Sequence, residues 1–143
     1  ADPQFASWEQ AVVALKATNP GFHTLSEAEW MGFARRVFRD ENGLPRADYD
    51  AQLTQTFPSA EDIEAGKVPE LWPLLDLMAG IPAAVLRGEH SDLLSNETVA
   101  EMQSRLPKLH AVAVKDRGHV PFLDEPECLT AIDTWLDAVD AAR

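Results

Sequence analysis

Residues 82–95 read PAAVLRGEHSDLLS, and residues 111–127 read AVAVKDRGHVPFLDEPE. Each stretch opens on a short apolar run, Ala83 to Leu86 in the first and Ala111 to Val114 in the second, then breaks into a polar loop containing a glycine. Apolar runs of this length without polar alternation suit strands buried on both faces, as in a parallel sheet. Between them Asn96 to Leu106 reads as a helix with Val99, Met102 and Leu106 on one side, and a last helix starts near Pro126 and carries Leu129, Ile132, Trp135, Leu136 and Val139. The order strand, helix, strand, helix implies parallel strands joined by a right-handed crossover. Two strands make a sheet with open edges, too small to stand alone, so the chain reads as the end of a larger sheet.

Upstream, to about residue 80, the texture is helical with proline and glycine punctuation. Ser7-x-x-Gln10 and Ser26-x-x-Glu29 have capping-box spacing. Trp30, Phe33, Ala34, Val37 and Phe38 recur at three and four, predicting one buried helical stripe that ends at Asn42-Gly43. Ala51, Leu53 and Phe57 suggest a short helix, Ser59 to Val68 a polar connection, and Pro69 the first residue of a helix through Leu71, Trp72, Leu75 and Met78, stopped by Gly80. The aromatics Trp8, Trp30, Trp72, Phe33 and Phe38 could line a substrate pocket, but at helical spacing they read first as packing residues.

Composition narrows the function. The 143 residues, 45% hydrophobic and 25% charged, fit one domain with a real core. Twelve basic residues against 24 acidic ones leave a formal charge of -12, which repels phosphate backbones and anionic membranes; nucleic acid and membrane are not expected as partners. The single cysteine, Cys128, excludes an intramolecular disulfide, no apolar stretch approaches the roughly 18 residues a membrane helix needs, and the N-terminus ADPQFASWEQ lacks the layout of a signal peptide, so a cytoplasmic setting is the default expectation. Beside Pro126 at a helix start Cys128 could have a depressed pKa, although packing as a small apolar residue is the simpler role.

In open α/β sheets the reacting groups sit on loops beyond the carboxyl ends of the strands. Here those loops are Gly88-Glu89-His90-Ser91-Asp92 and Asp116-Arg117-Gly118-His119-Val120-Pro121. If the strands are adjacent and parallel, both loops leave the same edge and bring a carboxylate toward an imidazole. A neutral imidazole accepts a proton at physiological pH, and a carboxylate fixes its tautomer. Gly118 would let the backbone turn tightly beside the base. Asp92 could equally be a turn former in SDLLSNET. A nucleophile elbow, Gly-x-Ser-x-Gly between strand and helix, would complete the set. The seven glycines, at 21, 32, 43, 66, 80, 88 and 118, include no pair spaced by four, and serines 7, 26, 59, 91, 95 and 104 lack that context. His90-x-Asp92, with His23 and His110 elsewhere, has no spacing like a zinc site, and no metal or cofactor is expected.

Taken together, PAAVLRGEHSDLLS and AVAVKDRGHVPFLDEPE resemble the C-terminal end of the α/β-hydrolase family, while FASWEQAVVALK, RRVFRDENG and DYDAQL resemble the helical cap segments that bacterial members insert before those strands. The resemblance implies residues 1–80 as a helical cap segment and 81–143 as the terminal β-α-β-α part of a doubly wound parallel sheet, apparently incomplete. It implies Asp92 as the triad acid and His119 as the general base, with Glu89 and Asp116 as lesser alternatives for the carboxylate. The implied partners are a small-molecule substrate and an N-terminal half carrying the nucleophile and oxyanion hole. Esterases, lipases, epoxide hydrolases, dehalogenases and carbon–carbon bond hydrolases all share this ending. An alternative from another class is a non-catalytic helical and βα interaction module, suggested by the absent elbow.

Overall fold

The structure, a computed structural model, describes residues 4–50, 52–53 and 57–142. The chain forms two compact units, one of Ala1–Pro20 with Thr24–Pro69 and the other of Gly21–His23 with Glu70–Arg143.

The first unit opens with helix α1 (Trp8–Thr18), whose buried residues Trp8, Ala11, Val12 and Leu15 follow the helical period. Ser7 Oγ accepts the Gln10 N–H at 3.3 Å, and the Gln10 side chain accepts from Ala6 rather than Ser7, so the box is offset by one residue. Helix α2 (Glu27–Val37) has the full reciprocal box: Ser26 Oγ accepts the Glu29 N–H, and Glu29 Oε2 accepts the Ser26 N–H at 2.8 Å. The stripe expected to run on through Phe38 to Asn42-Gly43 stops earlier. Strand β1 (Phe38–Glu41) pairs antiparallel with β2 (Leu44–Ala47), and Asn42 and Gly43 take φ of 55° and 85°. Positive φ at both central residues is the hairpin turn that Asn-Gly favours, and Asp40 Oδ1 steadies it by accepting the Gly43 N–H at 2.8 Å. Phe38 is buried as the stripe implied, but from a strand. Trp8 and Trp30 are also buried core residues.

The helix expected across Ala51, Leu53 and Phe57 includes Ala51 and residues 54–56, which lie outside the described residues. The expected polar connection Ser59–Val68 contains a short helix α3 (Ala60–Glu64), started by Ser59 accepting the Asp62 N–H at 3.1 Å.

In the second unit, helix α4 (Trp72–Asp76) is shorter than the predicted run from Pro69. Pro73 explains this: in a helix begun at Pro69 it would have to donate an N–H it lacks, whereas in the first turn of α4 that donor is not needed. Strand β3 (Ala83–Gly88), helix α5 (Asn96–Arg105), strand β4 (Leu109–Val114) and helix α6 (Pro126–Asp140) follow in the expected order, and His110 lies in β4. β3 and β4 are parallel, in register from Ala83↔Leu109 to Gly88↔Val114. Val114, Cys128 and Ala131 are buried where α6 packs on the strands, and Trp135 Nε1 donates to Pro82 O at 3.0 Å. The strands are less enclosed than their apolar runs predict: Ala84, His110 and Ala113 are exposed, because among the described residues this sheet has two strands. The chain therefore has an α/β fold ending in a parallel β-α-β-α unit. Among the described residues no helix is long and apolar enough to cross a membrane.

Candidate active site at the sheet edge

Because Gly88 pairs with Val114, the two loops leave the same edge of the parallel pair. They are tied to each other as they leave: Glu89 N–H donates to Val114 O and His90 N–H to Arg117 O, both at 2.8 Å. Glycine makes this approach possible. A Cβ on Gly88 would collide with the Gly118 carbonyl oxygen and lie 2.5 Å from that of Arg117. Gly118 has a related but different task from the tight turn expected of it: its φ is not left-handed, and a Cβ there would sit 2.8 Å from Phe22 Cε2. The left-handed residue of this loop is Asp116, with φ of 55°.

Each loop is folded around an arginine. Arg87, nearly buried at 9% exposure, donates from Nε to Leu94 O at 2.5 Å and from its terminal nitrogens to Glu89 O and Ser91 O at 3.1 and 3.3 Å. It thereby sets the path of the loop that carries Asp92. Arg117 instead pairs with buried Glu125 at 2.7 Å, and Glu125 Oε1 also accepts the Phe122 N–H at 3.1 Å. This pair brackets His119 between the end of β4 and the start of α6. Burial pushes the Glu125 carboxyl up, but hydrogen bonds from its own N–H, from Phe122 and from Arg117 outweigh that and hold it below the ordinary carboxylate value. Its second oxygen, Oε2, is buried and has no hydrogen-bond partner among the described residues. Cys128, one turn on, is driven up to about 12 by burial and then by Glu125, so its thiol stays protonated and serves packing.

His119 is exposed, and its Nδ1 lies 3.5 Å from Ser91 Oγ, which itself accepts the Leu94 N–H at 3.1 Å. With one lone pair used on Leu94, the Ser91 hydroxyl is free to donate to Nδ1, and that would leave the ring proton on Nε2. A carboxylate at Nδ1 would select the opposite tautomer, the one a general base acting through Nε2 requires. Asp92, the next residue, is exposed, and no hydrogen bond or ion pair among the described residues joins it to His119. Glu89 and Asp116, the other carboxylates considered, lie against His90, whose Nε2 is 3.8 Å from Glu89 Oε2 and 3.9 Å from Asp116 Oδ1. The braces Arg87, Arg117 and Glu125 escaped the sequence reading; a charged residue ending an apolar strand run was the available signal for Arg87.

No family model matches this chain. Among curated proteins it is 31% identical over 129 residues to a 3-hydroxybutyrate-oligomer hydrolase from Cupriavidus necator, covering 86% of this chain and 43% of that protein. Among solved structures it is similar to an α/β hydrolase from Novosphingobium aromaticivorans at 35% identity and a TM-score of 0.78, covering 96% of this chain and 48% of that one. It also shares the fold of a putative hydrolase from Rickettsia typhi, at 19% identity and a TM-score of 0.68, covering 96% and 45% of the two chains. E-2-(acetamidomethylene)succinate hydrolase, at 23% identity and a TM-score of 0.64 over 95% and 47%, has that fold as well. The chain spans less than half the length of these proteins, 43% to 48%.

Proposed function

We propose, from the premise that this chain belongs to the α/β-hydrolase fold family and corresponds to its C-terminal portion, that it supplies the acid and the base of a hydrolytic triad. His119 takes the proton of a nucleophile that attacks the scissile bond and returns it to the leaving group; Asp92 holds the Nδ1–H and stabilises the imidazolium. The nucleophile and the oxyanion donors come from chain N-terminal to these 143 residues, and residues 1–80 correspond to a helical cap segment. The substrate is a small molecule with an ester or related bond, a reading supported by the likeness to a 3-hydroxybutyrate-oligomer hydrolase. No cofactor takes part in this scheme.

The observation that carries the reading is the parallel register Gly88↔Val114, which sends the Asp92 loop and the His119 loop off one sheet edge. The scheme requires Asp92 to replace Ser91 at His119 Nδ1. The reading is tested by assaying p-nitrophenyl ester hydrolysis with the 143 residues alone and again after co-expression with the preceding segment of the same protein. Activity is expected only in the second preparation. Turnover by the 143 residues alone, abolished in His119→Ala, would overturn it, since without nucleophile and oxyanion hole no covalent route exists.

A second reading, a non-catalytic interaction module, is favoured by one feature of the second unit. A groove of about 510 Å³ is lined by Leu71, Trp72, Leu74, Leu75, Met78 and Met102, with Leu71 and Leu74 each 62% exposed. Cooperative folding of the isolated 143 residues, with no activity in either preparation, would favour it.

A further inference from the structure

His23, His90 and Asp116 come from three separate chain segments, yet their ligand-capable atoms all lie within 4.8 Å of one another. We propose that these three side chains form a binding site for a divalent transition ion of the zinc or copper class. The imidazole rings of His23 and His90 have centroids 5.0 Å apart, tilted by 53°. Two imidazoles on one tetrahedral zinc, with bonds of about 2.0–2.1 Å, hold their ring centres about 5 Å apart, so the rings already stand at coordinating separation. Donor atoms around such an ion are about 3.3 Å apart, so binding would draw together the side chains of the two exposed histidines and the half-buried aspartate from their present spacing of up to 4.8 Å.

The charge around the rings suits a cation. His90 Nε2 faces two carboxylates, Asp116 at 3.9 Å and Glu89 at 3.8 Å. Glu89 Oε2 also accepts the Asp116 N–H at 3.1 Å, which fixes the backbone that bears the third ligand. A mixed set of imidazole nitrogen and carboxylate oxygen selects zinc, copper or nickel over magnesium and calcium, which ask for oxygen ligands throughout.

The ligands are also carried on backbone that is already assembled. A Cβ on Gly21 would lie 2.7 Å from Gly118 Cα and 3.0 Å from His90 O, so the segment bearing His23 presses directly on both loops. His90 N–H donates to Arg117 O at 2.8 Å, locking the other two segments together. Little ordering entropy remains to oppose binding. The site needs no nucleophile and does not depend on the hydrolytic reading.

The test is a titration of the intact protein carrying this chain with Zn2+ against a chromophoric chelator, for wild type, His23→Ala, His90→Ala, Asp116→Asn and, as control, His110→Ala. One equivalent is expected to bind, with affinity lowered about tenfold or more in each of the first three variants and unchanged in the control. Absence of Zn2+ binding, or affinity unchanged in His23→Ala and His90→Ala, overturns the proposal. Should those variants fail to fold, pulsed electron paramagnetic resonance of Cu2+ on the wild type decides: two equatorial imidazoles support the site, and one or none refutes it.

Discussion

The loop that carries Asp92 and the loop that carries His119 leave the same sheet edge, and each is shaped by an arginine, but the arginines are satisfied differently. Arg87 gives its hydrogen bonds to the carbonyls of Glu89, Ser91 and Leu94. Arg117 gives its strongest to the buried carboxylate of Glu125. Carbonyl oxygens do not titrate, so the first brace is indifferent to acid. A buried carboxylate does, and a charge left there without its partner is costly. The two loops thus reach similar order by different physics, and they should fail differently.

The largest effect is expected from Arg117→Met, which leaves Glu125 buried and unpaired; removing one partner of a buried pair costs about 3–5 kcal/mol. The Glu125 carboxyl sits below its unfolded value in the folded protein. Its contribution is therefore complete above the unfolded carboxyl pKa of about 4.3 and is lost as pH falls through the lower folded value. In Arg117→Met one of the causes that lower the Glu125 carboxyl is gone while burial remains, so this contribution shrinks and the variant, less stable at pH 7, loses less stability on acidification than wild type. Urea unfolding midpoints measured from pH 7 down to pH 3 check both statements.

Gly88→Ala comes next, at about 3 kcal/mol, the upper end of the overpacking range, since its Cβ meets the backbone of Arg117 and Gly118 and no rotamer relieves the conflict. It strains both loops at once, and the same urea titration at pH 7 measures it. Arg87→Met is expected to be mildest, about 2 kcal/mol for the lost charge-assisted hydrogen bonds. Its pH profile should run parallel to wild type; a profile flattened like that of Arg117→Met would erase the distinction between the braces.

Much of the second unit was legible in the chain. The apolar runs at Ala83 and Ala111, the helix between them and Pro126 as a helix start specify β-α-β-α, because period and punctuation agree at every step. The hairpin after α2 was not, for a physical reason: Phe38 stands four residues after Ala34 and continues the helical stripe. Asn42-Gly43 suits a helix stop and a hairpin turn alike, both needing left-handed φ. Partners that meet only through tertiary approach left no local mark. Gly21 against Gly118 brings His23 beside His90 from far along the chain, and Glu125 reaches back to Arg117 in a way that its helix-start context does not announce.

The most direct test of the proposed pairing of Asp92 with His119 is a kinetic cycle on the intact protein: Asp92→Asn, His119→Ala and the double variant, assayed for kcat on an ester substrate. The account predicts losses of about 10³–10⁴-fold or more in each single variant and little further loss in the double, because residues acting as one unit are not additive. Near-wild-type kcat in Asp92→Asn, or losses that multiply in the double variant, would contradict it.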